Sequence, residues 1–217
     1  MKIKYLAHAA FLITSDNGVK IVADPYETED ILCYAEITET ADIVTTSHQH
    51  TDHNYVRAVK GNPKVVTKSE ELKGIKIKAI PAAHDTSGGS QRGKNTIFCF
   101  DVDGINVCHC GDLGHELNAA QINAIGKVDV LMIPVGGTFT LDAQGASKVT
   151  EQLKPKVILP MHYKTDRTSL PLAGVDDFLK GKDNVTRSND SELELTASTL
   201  PAKAQIIVLK PALLTTS

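Results

Sequence analysis

The sequence predicts an α/β (α+β) fold in which two packed β-sheets are covered on the outside by helices. Short β-type runs come first, helical patterns interleave with apolar runs later, and no linker-like segment divides the 217 residues. Such a chain buries its apolar surfaces best when sheets and helices pack in layers. We therefore expect a single domain over residues 1–217.

The N-terminal part of the chain is predicted to be mainly β-structure. The segment Ser15-Asp-Asn-Gly18 is a hairpin turn between two β-type runs, and Asp24-Pro25 ends the resulting meander. Residues 26–40 are expected to form an irregular loop. Ser69 is a candidate N-cap for one helical turn, and a loop is expected from Pro81 onwards. Strands are predicted at 2–6, 10–14, 19–23, 42–46, 64–67 and 75–80, and a short helix at 55–60.

The later part of the chain alternates strands and helices. Asp103-Gly104 is a tight turn between two strands, Gly126 closes one helix, and Asp142 caps another. The runs 128–134 and 157–159 are apolar throughout, which is typical of strands buried on both faces. Strands are predicted at 96–102, 105–109, 128–134, 157–159, 192–196 and 206–210, and helices at 115–125, 142–153 and 175–179.

The most informative stretch is residues 41–53, which read ADIVTTSHQHTDH. Its first half is a short apolar strand, and its second half carries three imidazoles and a carboxylate that are costly to bury unless something binds them. The pattern His-x-His-x-Asp-His arises by chance in roughly one chain in a thousand of this composition. Imidazole and carboxylate suit Zn, Fe, Mn or Ni, and two adjacent sites can activate a bridging water for hydrolysis.

Other polar residues follow the ends of other predicted strands. His84 follows the strand at 75–80, Asp112 follows 105–109 and His162 follows 157–159. Groups at the ends of neighbouring strands can converge at one rim of a layered fold. We therefore expect these side chains to meet residues 48–53.

Together these motifs resemble the metallo-β-lactamase superfamily of metal-dependent hydrolases, and within it the small lactonase-like branch that includes the ascorbate-6-phosphate lactonase type. The resemblance implies the four-layer αββα sandwich of the metallo-β-lactamase fold. It rests on YLAH at 5–8, DP at 24–25, the motif at 48–53, AH at 83–84, HCGD at 109–112, GTFT at 137–140 and PMHY at 160–163.

The resemblance also implies a dinuclear metal site. His48, His50 and His84 are expected to bind one ion, Asp52, His53 and His162 the other, and Asp112 to bridge them. The cofactors would be two divalent ions, zinc by default with Mn, Ni or Fe as alternatives. A metal-bridging hydroxide would then be oriented or deprotonated by Asp52.

Residues around this set have other expected roles. Asp24 resembles an outer carboxylate that holds a ligand histidine, and the alternative is an Asp that starts a turn before Pro25. His8 is expected to line the pocket, whereas His109 and His115 are expected to be structural. The hydroxyls of Thr138 and Thr140 are candidates for binding a substrate oxygen, or are simply part of a Gly-rich turn.

Composition narrows the function. The net charge of −3 and the scattered Lys and Arg give no footprint for nucleic acid, and no apolar run is long enough for a signal peptide or a membrane span. Four cysteines make no disulfide framework, so we expect a cytoplasmic protein without a membrane partner. Residues 88–94 have the spacing of a phosphate-binding P-loop, but Asn95 stands where Ser or Thr is needed and a strand pattern follows.

We therefore expect a metal-dependent hydrolase of a small ester, lactone or phosphoester, with a small-molecule substrate. Two alternatives stay open, an RNase Z-like phosphodiesterase or nuclease and a non-catalytic metal-dependent binding or sensor protein. Homo-oligomerisation is also left open. The Asp at position 112, where true β-lactamases more often have Cys, disfavours antibiotic hydrolysis.

Overall fold

A computed structural model describes residues 1–28 and 31–214. Three α-helices in these ranges are α1 (Ala119–Ile125), α2 (Ala143–Leu153) and α3 (Val175–Leu179), and Val56–Ala58 forms a 3-10 turn. The strands are β1 (Lys2–Ala7), β2 (Ala10–Thr14), β3 (Lys20–Ala23), β4 (Ile43–Thr45), β5 (Lys64–Val66), β6 (Glu70–Leu72), β7 (Ile75–Ala83), β8 (Lys94–Val102), β9 (Ile105–His109), β10 (Val130–Pro134), β11 (Val157–Met161), β12 (Val185–Arg187), β13 (Glu192–Glu194) and β14 (Gln205–Val208).

The strands form two sheets. One sheet has the order β13-β1-β2-β3-β4-β5, and the other has the order β12-β14-β11-β10-β9-β8-β7-β6. Antiparallel pairs connect β1, β2 and β3 and also β7, β8 and β9, whereas β3-β4-β5 and β9-β10-β11 pair in parallel. Because β13 pairs with β1, a strand from late in the chain forms the edge of the sheet that β1 begins.

The main core lies between the two sheets. Ile3, Phe11 and Ile43 come from one sheet, and Phe98 and Val130 come from the other, and all five are fully shielded from solvent. Removing this much apolar surface from water is the dominant favourable term in holding two sheets face to face. The alternation of inward and outward residues along each strand is what makes this packing possible.

The outer faces of the two sheets are covered differently. The three α-helices pack on the eight-stranded sheet, where Val149 and Phe178 join a second apolar cluster. On the six-stranded sheet, Tyr26, Tyr34 and Ile37 of the irregular segment after β3 cover the strands, together with the 3-10 turn. The predicted α/β sandwich is confirmed, and its layer on the six-stranded sheet is irregular chain instead of α-helix.

Some element boundaries differ from the predictions. The loop predicted from Pro81 is wrong, because β7 continues to residue 83. Pro81 is tolerated there because its strand faces β8 on one side, while β6 pairs only with residues 75–77 on the other. The helical turn predicted after Ser69 is also wrong. A hairpin forms instead at Lys73-Gly74, where both residues have positive φ.

Two further differences concern helices and the C-terminal strands. The helix predicted over 115–125 begins only at residue 119, because Asn118 forms a capping box with Gln121. Strand β12 was not predicted, since its three residues are half-buried or exposed and carry no apolar pattern. No helix in the described part of the chain is long and apolar enough to cross a membrane.

Candidate metal centre

The candidate ligands all lie immediately after strand ends. His8 follows β1, Asp24 follows β3 and residues 47–53 follow β4 in the six-stranded sheet. His84, Asp112 and His162 follow β7, β9 and β11 in the eight-stranded sheet. The strand ends of both sheets therefore meet at one rim, as the sequence predicts.

Left-handed backbone conformations turn the chain sharply at this rim. His8, Asp24 and His162 have φ values of 55°, 47° and 51°. Non-glycine residues rarely adopt this region, although His and Asp are among those that tolerate it, and such conformations cluster at functional sites. The His162 N–H donates to the His8 carbonyl over 2.8 Å, which ties the ends of the two sheets together.

The side chains form three sets that could each hold a metal ion, an outer group, an inner group and a third set, His48, His53 and Asp112, that joins the two. The outer group consists of His48, His50 and His84, of which His50 is exposed. The inner group, in which only Asp52 is not fully buried, consists of His8, Asp52, His53 and His162. Within each group the potential ligand atoms lie within 4.8 Å of one another.

Asp112 lies between the two groups. Its Oδ1 is 3.1 Å from His53 Nε2, and its Oδ2 is 3.2 Å from His84 Nε2 and 3.4 Å from His162 Nε2. His48 Nε2 is 3.9 Å from the same Oδ2. One carboxylate thus faces imidazoles of both groups, which is the geometry that a bridging ligand requires.

Hydrogen bonds to Asp24 and Ser47 set the tautomer of His48. The Ser47 hydroxyl donates its one proton to Asp24 Oδ2 over 2.5 Å. Ser47 Oγ, 2.9 Å from His48 Nδ1, therefore acts as acceptor there, and the ring proton lies on Nδ1. His48 Nε2 is left with a lone pair directed toward His50 Nδ1, 3.0 Å away.

The rings of His53 and His84 are held in the same manner. His53 Nδ1 donates to Asp24 Oδ2 over 2.8 Å, and His84 Nδ1 donates to the Phe139 carbonyl over 3.0 Å. In both rings the other nitrogen, Nε2, faces Asp112. Metal-ligating histidines characteristically donate their second N–H to a carboxylate or a carbonyl in this way.

Unsatisfied polar atoms at the centre fit a bound cation. His53 Nε2 and Asp112 Oδ1 are both buried, and neither forms a hydrogen bond with any described residue although they lie 3.1 Å apart. Buried polar atoms normally have partners, and a pair left without them is what a bound cation would satisfy. The donor set of imidazoles and carboxylates suits zinc and the other first-row divalent ions.

Electrostatics couple these groups strongly. Burial opposes ionisation of Asp112, but the imidazoles of His162 and His53 hold the pKa of this carboxyl well below its usual range. Burial likewise disfavours protonation of His53, yet Asp112 and Asp52 raise the pKa of the His53 imidazole well above its usual value. Burial and the neighbouring His162 lower the pKa of His8 to about 4. Anionic carboxylates and a neutral His8 are thus maintained at neutral pH.

The chain around Asp112 is clamped by residues that sequence reasoning missed. Asn95 Nδ2 donates to the Cys110 carbonyl over 2.9 Å, and Asn95 Oδ1 accepts from the Asp112 N–H over 3.0 Å. Gly111 has φ +54°, and a Cβ at this position would lie 2.4 Å from Ser47 Cβ. No local pattern marks Asn95, because its role depends on β8 lying beside the turn after β9.

A cavity of about 290 Å³ opens over the two groups. Thr138 and Thr140 do not line this cavity. Their hydroxyls donate to the Pro171 and Leu141 carbonyls, so the geometry does not support the substrate contact expected for them. Sequence reasoning missed Phe139 and Leu170. The lining residues are His50, Asp52, His84, Arg92, Asp112, Phe139, His162 and Leu170.

The loop that contains the P-loop-like residues 88–94 folds around the carboxylate of Asp85. The backbone N–H groups of residues 87, 89, 91 and 92 donate to Asp85 over 2.7–3.0 Å. These bonds lower the pKa of Asp85 to about 2, with the Arg92 N–H as the largest cause. The N–H groups that a P-loop would offer to a phosphate are thus used by Asp85, and the strand predicted after the segment is confirmed, because residues 94–102 form β8 instead of a helix.

His109 and His115 lie outside both groups. His109 is buried, with Nε2 2.8 Å from the Ala9 carbonyl and Nδ1 accepting from the Gly111 N–H. His115 Nε2 accepts from the Ala83 N–H over 3.1 Å. Both have structural partners, as the sequence analysis expects. His8 does not line the cavity, contrary to expectation, but lies behind it in the inner group.

Comparison with known proteins identifies the family. A sequence profile described as the beta-lactamase superfamily domain matches residues 2–162. UPF0173 metal-dependent hydrolases of Thermococcus onnurineus and Carboxydothermus hydrogenoformans are 30% and 32% identical, each alignment covering 76% of this chain and 85% of the relative. A crystal structure from Thermotoga maritima, assigned to Zn-dependent hydrolases of the metallo-β-lactamase superfamily, has 40% identity and a TM-score of 0.79 over 96% of this chain and 97% of that one.

These similarities span the strand ends that carry both groups of candidate ligands. The ligand role of each side chain stays a prediction. The fold, the profile match and the extent of the similarity to these relatives together show that the chain belongs to the metallo-β-lactamase superfamily and is a metal-dependent hydrolase.

Proposed function

We propose that this protein is a dinuclear hydrolase that cleaves a small ester, lactone or phosphoester, with zinc as the working metal. His48, His50, His84 and Asp112 would hold one ion. Asp52, His53, His162 and Asp112 would hold the other. The observation that carries the proposal is the position of Asp112, whose carboxylate lies 3.1–3.4 Å from ring nitrogens of both groups. The Zn assignment of the Thermotoga maritima structure supports the choice of metal.

When bound, a pair of divalent cations supplies a nucleophile from water at neutral pH and polarises the oxygen of the scissile bond. The chain's own residues do the rest. Asp52 lines the cavity, with Oδ2 3.2 Å from His8 Nε2, and it orients the attacking water or accepts its proton. His8 fixes the carboxylate of Asp52 by that hydrogen bond. The apolar side chains of Phe139 and Leu170 position the substrate against the polar wall.

The size of the cavity supports a small substrate. Its volume of about 290 Å³ equals that of roughly ten water molecules at about 30 Å³ each. This is at the lower end of small-molecule sites and offers no platform of aromatic rings for successive nucleobases. We therefore favour a small molecule over RNA, and we place the protein in the cytoplasm, where buried thiols such as Cys99 and Cys108 stay reduced.

The test begins with metal analysis of protein purified without chelator. We expect about two ions per chain in the wild type and fewer than one in Asp112→Asn. Protein reconstituted with Zn, Mn, Ni or Fe is then assayed on 4-nitrophenyl acetate, γ-butyrolactone and bis(4-nitrophenyl) phosphate. The ester or the lactone should be hydrolysed, with the rate following metal content.

His115→Gln is the matched control, because His115 lies outside both groups, and it should retain metal and activity. Hydrolysis of the phosphodiester alone would assign the cleaved bond as a phosphoester, and cleavage of single-stranded RNA as well would favour the nuclease-like alternative. Tight binding of two ions without turnover of any of the three substrates would favour a sensor or binding protein. Absence of bound metal after reconstitution would overturn the proposal.

A further inference from the structure

Arg92 is a cation at the metal cavity without an anionic partner. Its side chain is half-buried and lines the cavity, and it forms no ion pair with any residue that the structure describes. One guanidinium nitrogen donates to the Thr138 carbonyl over 2.6 Å, and the group lies 4.9 Å above the Phe139 ring. A guanidinium has five N–H donors, so most of them are free for a ligand.

The chain presents Arg92 in a fixed position. Its backbone N–H is one of the four that donate to the Asp85 carboxylate, and Asp85 directly follows the candidate ligand His84. The contacts with Thr138 and Phe139 hold the side chain at its far end. A preorganised fork loses little entropy when it binds a planar oxyanion, which is why arginine suits such sites.

A second, polar groove adjoins the metal cavity at Arg92. This groove of about 410 Å³ shares Arg92 and His50 with the metal cavity and is also lined by Lys94 and Thr67. Lys94 is exposed. The apolar Phe139, against which the Arg92 guanidinium stacks, and Leu170 also line the metal cavity. A molecule bound in this cavity therefore meets the candidate metal ligands, an apolar surface and the Arg92 guanidinium.

We propose that the substrate is an anionic ester or lactone, with a carboxylate or phosphate group outside the scissile bond that Arg92 binds. This inference rests on the proposed hydrolase function and specifies its substrate class. Lys94 adds longer-range attraction at the shared groove. Arg92 is thus a specificity-determining residue of the cavity.

The test compares an anionic and a neutral substrate of similar length, the 4-nitrophenyl monoester of succinate and 4-nitrophenyl butanoate. Zinc-loaded wild type is expected to prefer the succinate monoester in kcat/KM. Arg92→Met keeps the packing on Phe139 but removes the charge, and it should lower this preference about tenfold, mainly through KM. Arg92→Lys keeps the charge without the fork and should lower it less.

Arg57→Met is the matched control. The Arg57 guanidinium lies 4.4 Å above the Tyr55 ring in a similar arrangement, but outside the metal cavity. This variant should leave the ratio of the two kcat/KM values unchanged. Calorimetric titration with succinate and with inorganic phosphate gives a readout other than turnover. The affinity for at least one of the two should fall about tenfold in Arg92→Met.

The outcomes separate this inference from the hydrolase proposal. Equal kcat/KM for both esters in the wild type, with the ratio unchanged in Arg92→Met, would overturn the anionic substrate and leave the hydrolase intact. If neither ester is hydrolysed, the proposed ester hydrolysis is contradicted. The titrations then test separately whether Arg92 binds an anion. Succinate and phosphate affinities that are the same in wild type and Arg92→Met would then overturn its role.

Discussion

The two groups of candidate ligands differ in burial and in charge. The inner group contains a carboxylate, Asp52, and three fully buried imidazoles. The outer group consists of imidazoles alone, and one of them, His50, is exposed to solvent. An ion in the inner group would have more negative charge and less water around it, so we expect it to be held more tightly.

The two groups also differ in the hydrogen bonds made by the ring nitrogens that face away from Asp112. Asp24 accepts directly from His53 of the inner group, and it supports His48 of the outer group only through the Ser47 hydroxyl. The Nδ1 atoms of His8 and His162 are buried and have no partner among the described residues. The inner group thus combines one ring that a carboxylate holds from outside the group, His53, with two rings whose polar contacts lie inside the site, His8 with Asp52 and His162 with Asp112.

The largest effect is expected where the groups are joined. Asp112→Asn removes the charge that both ions share and should abolish dinuclear binding. Without the bound ions, the transition state of hydrolysis should lose about 4 kcal/mol of stabilisation. This corresponds to a fall of about a thousandfold in kcat/KM. Metal analysis and kinetics check it, with the exposed Asp183→Asn as control. Retention of two ions by Asp112→Asn would show that the carboxylate does not bridge the groups.

The second effect separates the two groups by chelation. Dialysis of the wild type against a chelator should release two ions in two phases, the faster phase coming from the outer group. His50→Ala should retain about one ion per chain and lose the fast phase. His115→Ala, a histidine outside both groups, should behave as wild type. Simultaneous release of both ions from the wild type would remove the distinction between the groups.

The sequence was most informative where chemistry and strand ends coincide. The motif at 48–53 and the positions of His84, Asp112 and His162 after strands were predictable because apolar periodicity locates strands and unsatisfied polar groups mark their ends. These residues do converge at one rim. The irregular layer on the six-stranded sheet was not predictable in the same way, since it is held by tertiary packing of Tyr26 and Tyr34.

The side-chain contacts that support the site could not be predicted from local sequence patterns. The clamp by Asn95 requires knowledge that β8 runs beside the turn after β9, and the place of His8 in the inner group depends on its contact with Asp52 from another strand end. Thr138 and Thr140 were plausible from their Gly-rich setting, yet Phe139 between them faces the cavity. Which side of a turn faces a pocket is set by the fold and not by composition.

The third prediction concerns support of the rings. Asp24→Asn should lower metal affinity about 10- to 100-fold, the usual range for loss of such a partner. Both groups should be affected, because Asp24 holds His53 directly and His48 through Ser47. Ser47→Ala should weaken only the outer group. Competition with a chromophoric zinc chelator measures each step, and an inner group weakened equally by Ser47→Ala would contradict the assignment.

The smallest effect is expected from the backbone contact beneath the site. Gly111→Ala and Gly104→Ala both place a Cβ at positive φ, which costs about 1–2 kcal/mol. Only Gly111 is also crowded, since its Cβ would meet Ser47 Cβ at 2.4 Å, whereas Gly104 faces open space. Overpacking adds about 1–3 kcal/mol, so urea denaturation of metal-free protein should show a larger loss for Gly111→Ala.

Zinc titration of the two glycine variants then completes the comparison of the groups. A shift of Ser47 in Gly111→Ala disturbs His48, so the outer group should bind zinc more weakly while the inner group changes less. Gly104→Ala, distant from both groups, should titrate as wild type does. Equal losses of stability in the two variants would mean that the Ser47 contact relaxes without cost. A loss confined to the inner group would mean that Gly111 acts through Asp112, its neighbour in the chain, and not through Ser47.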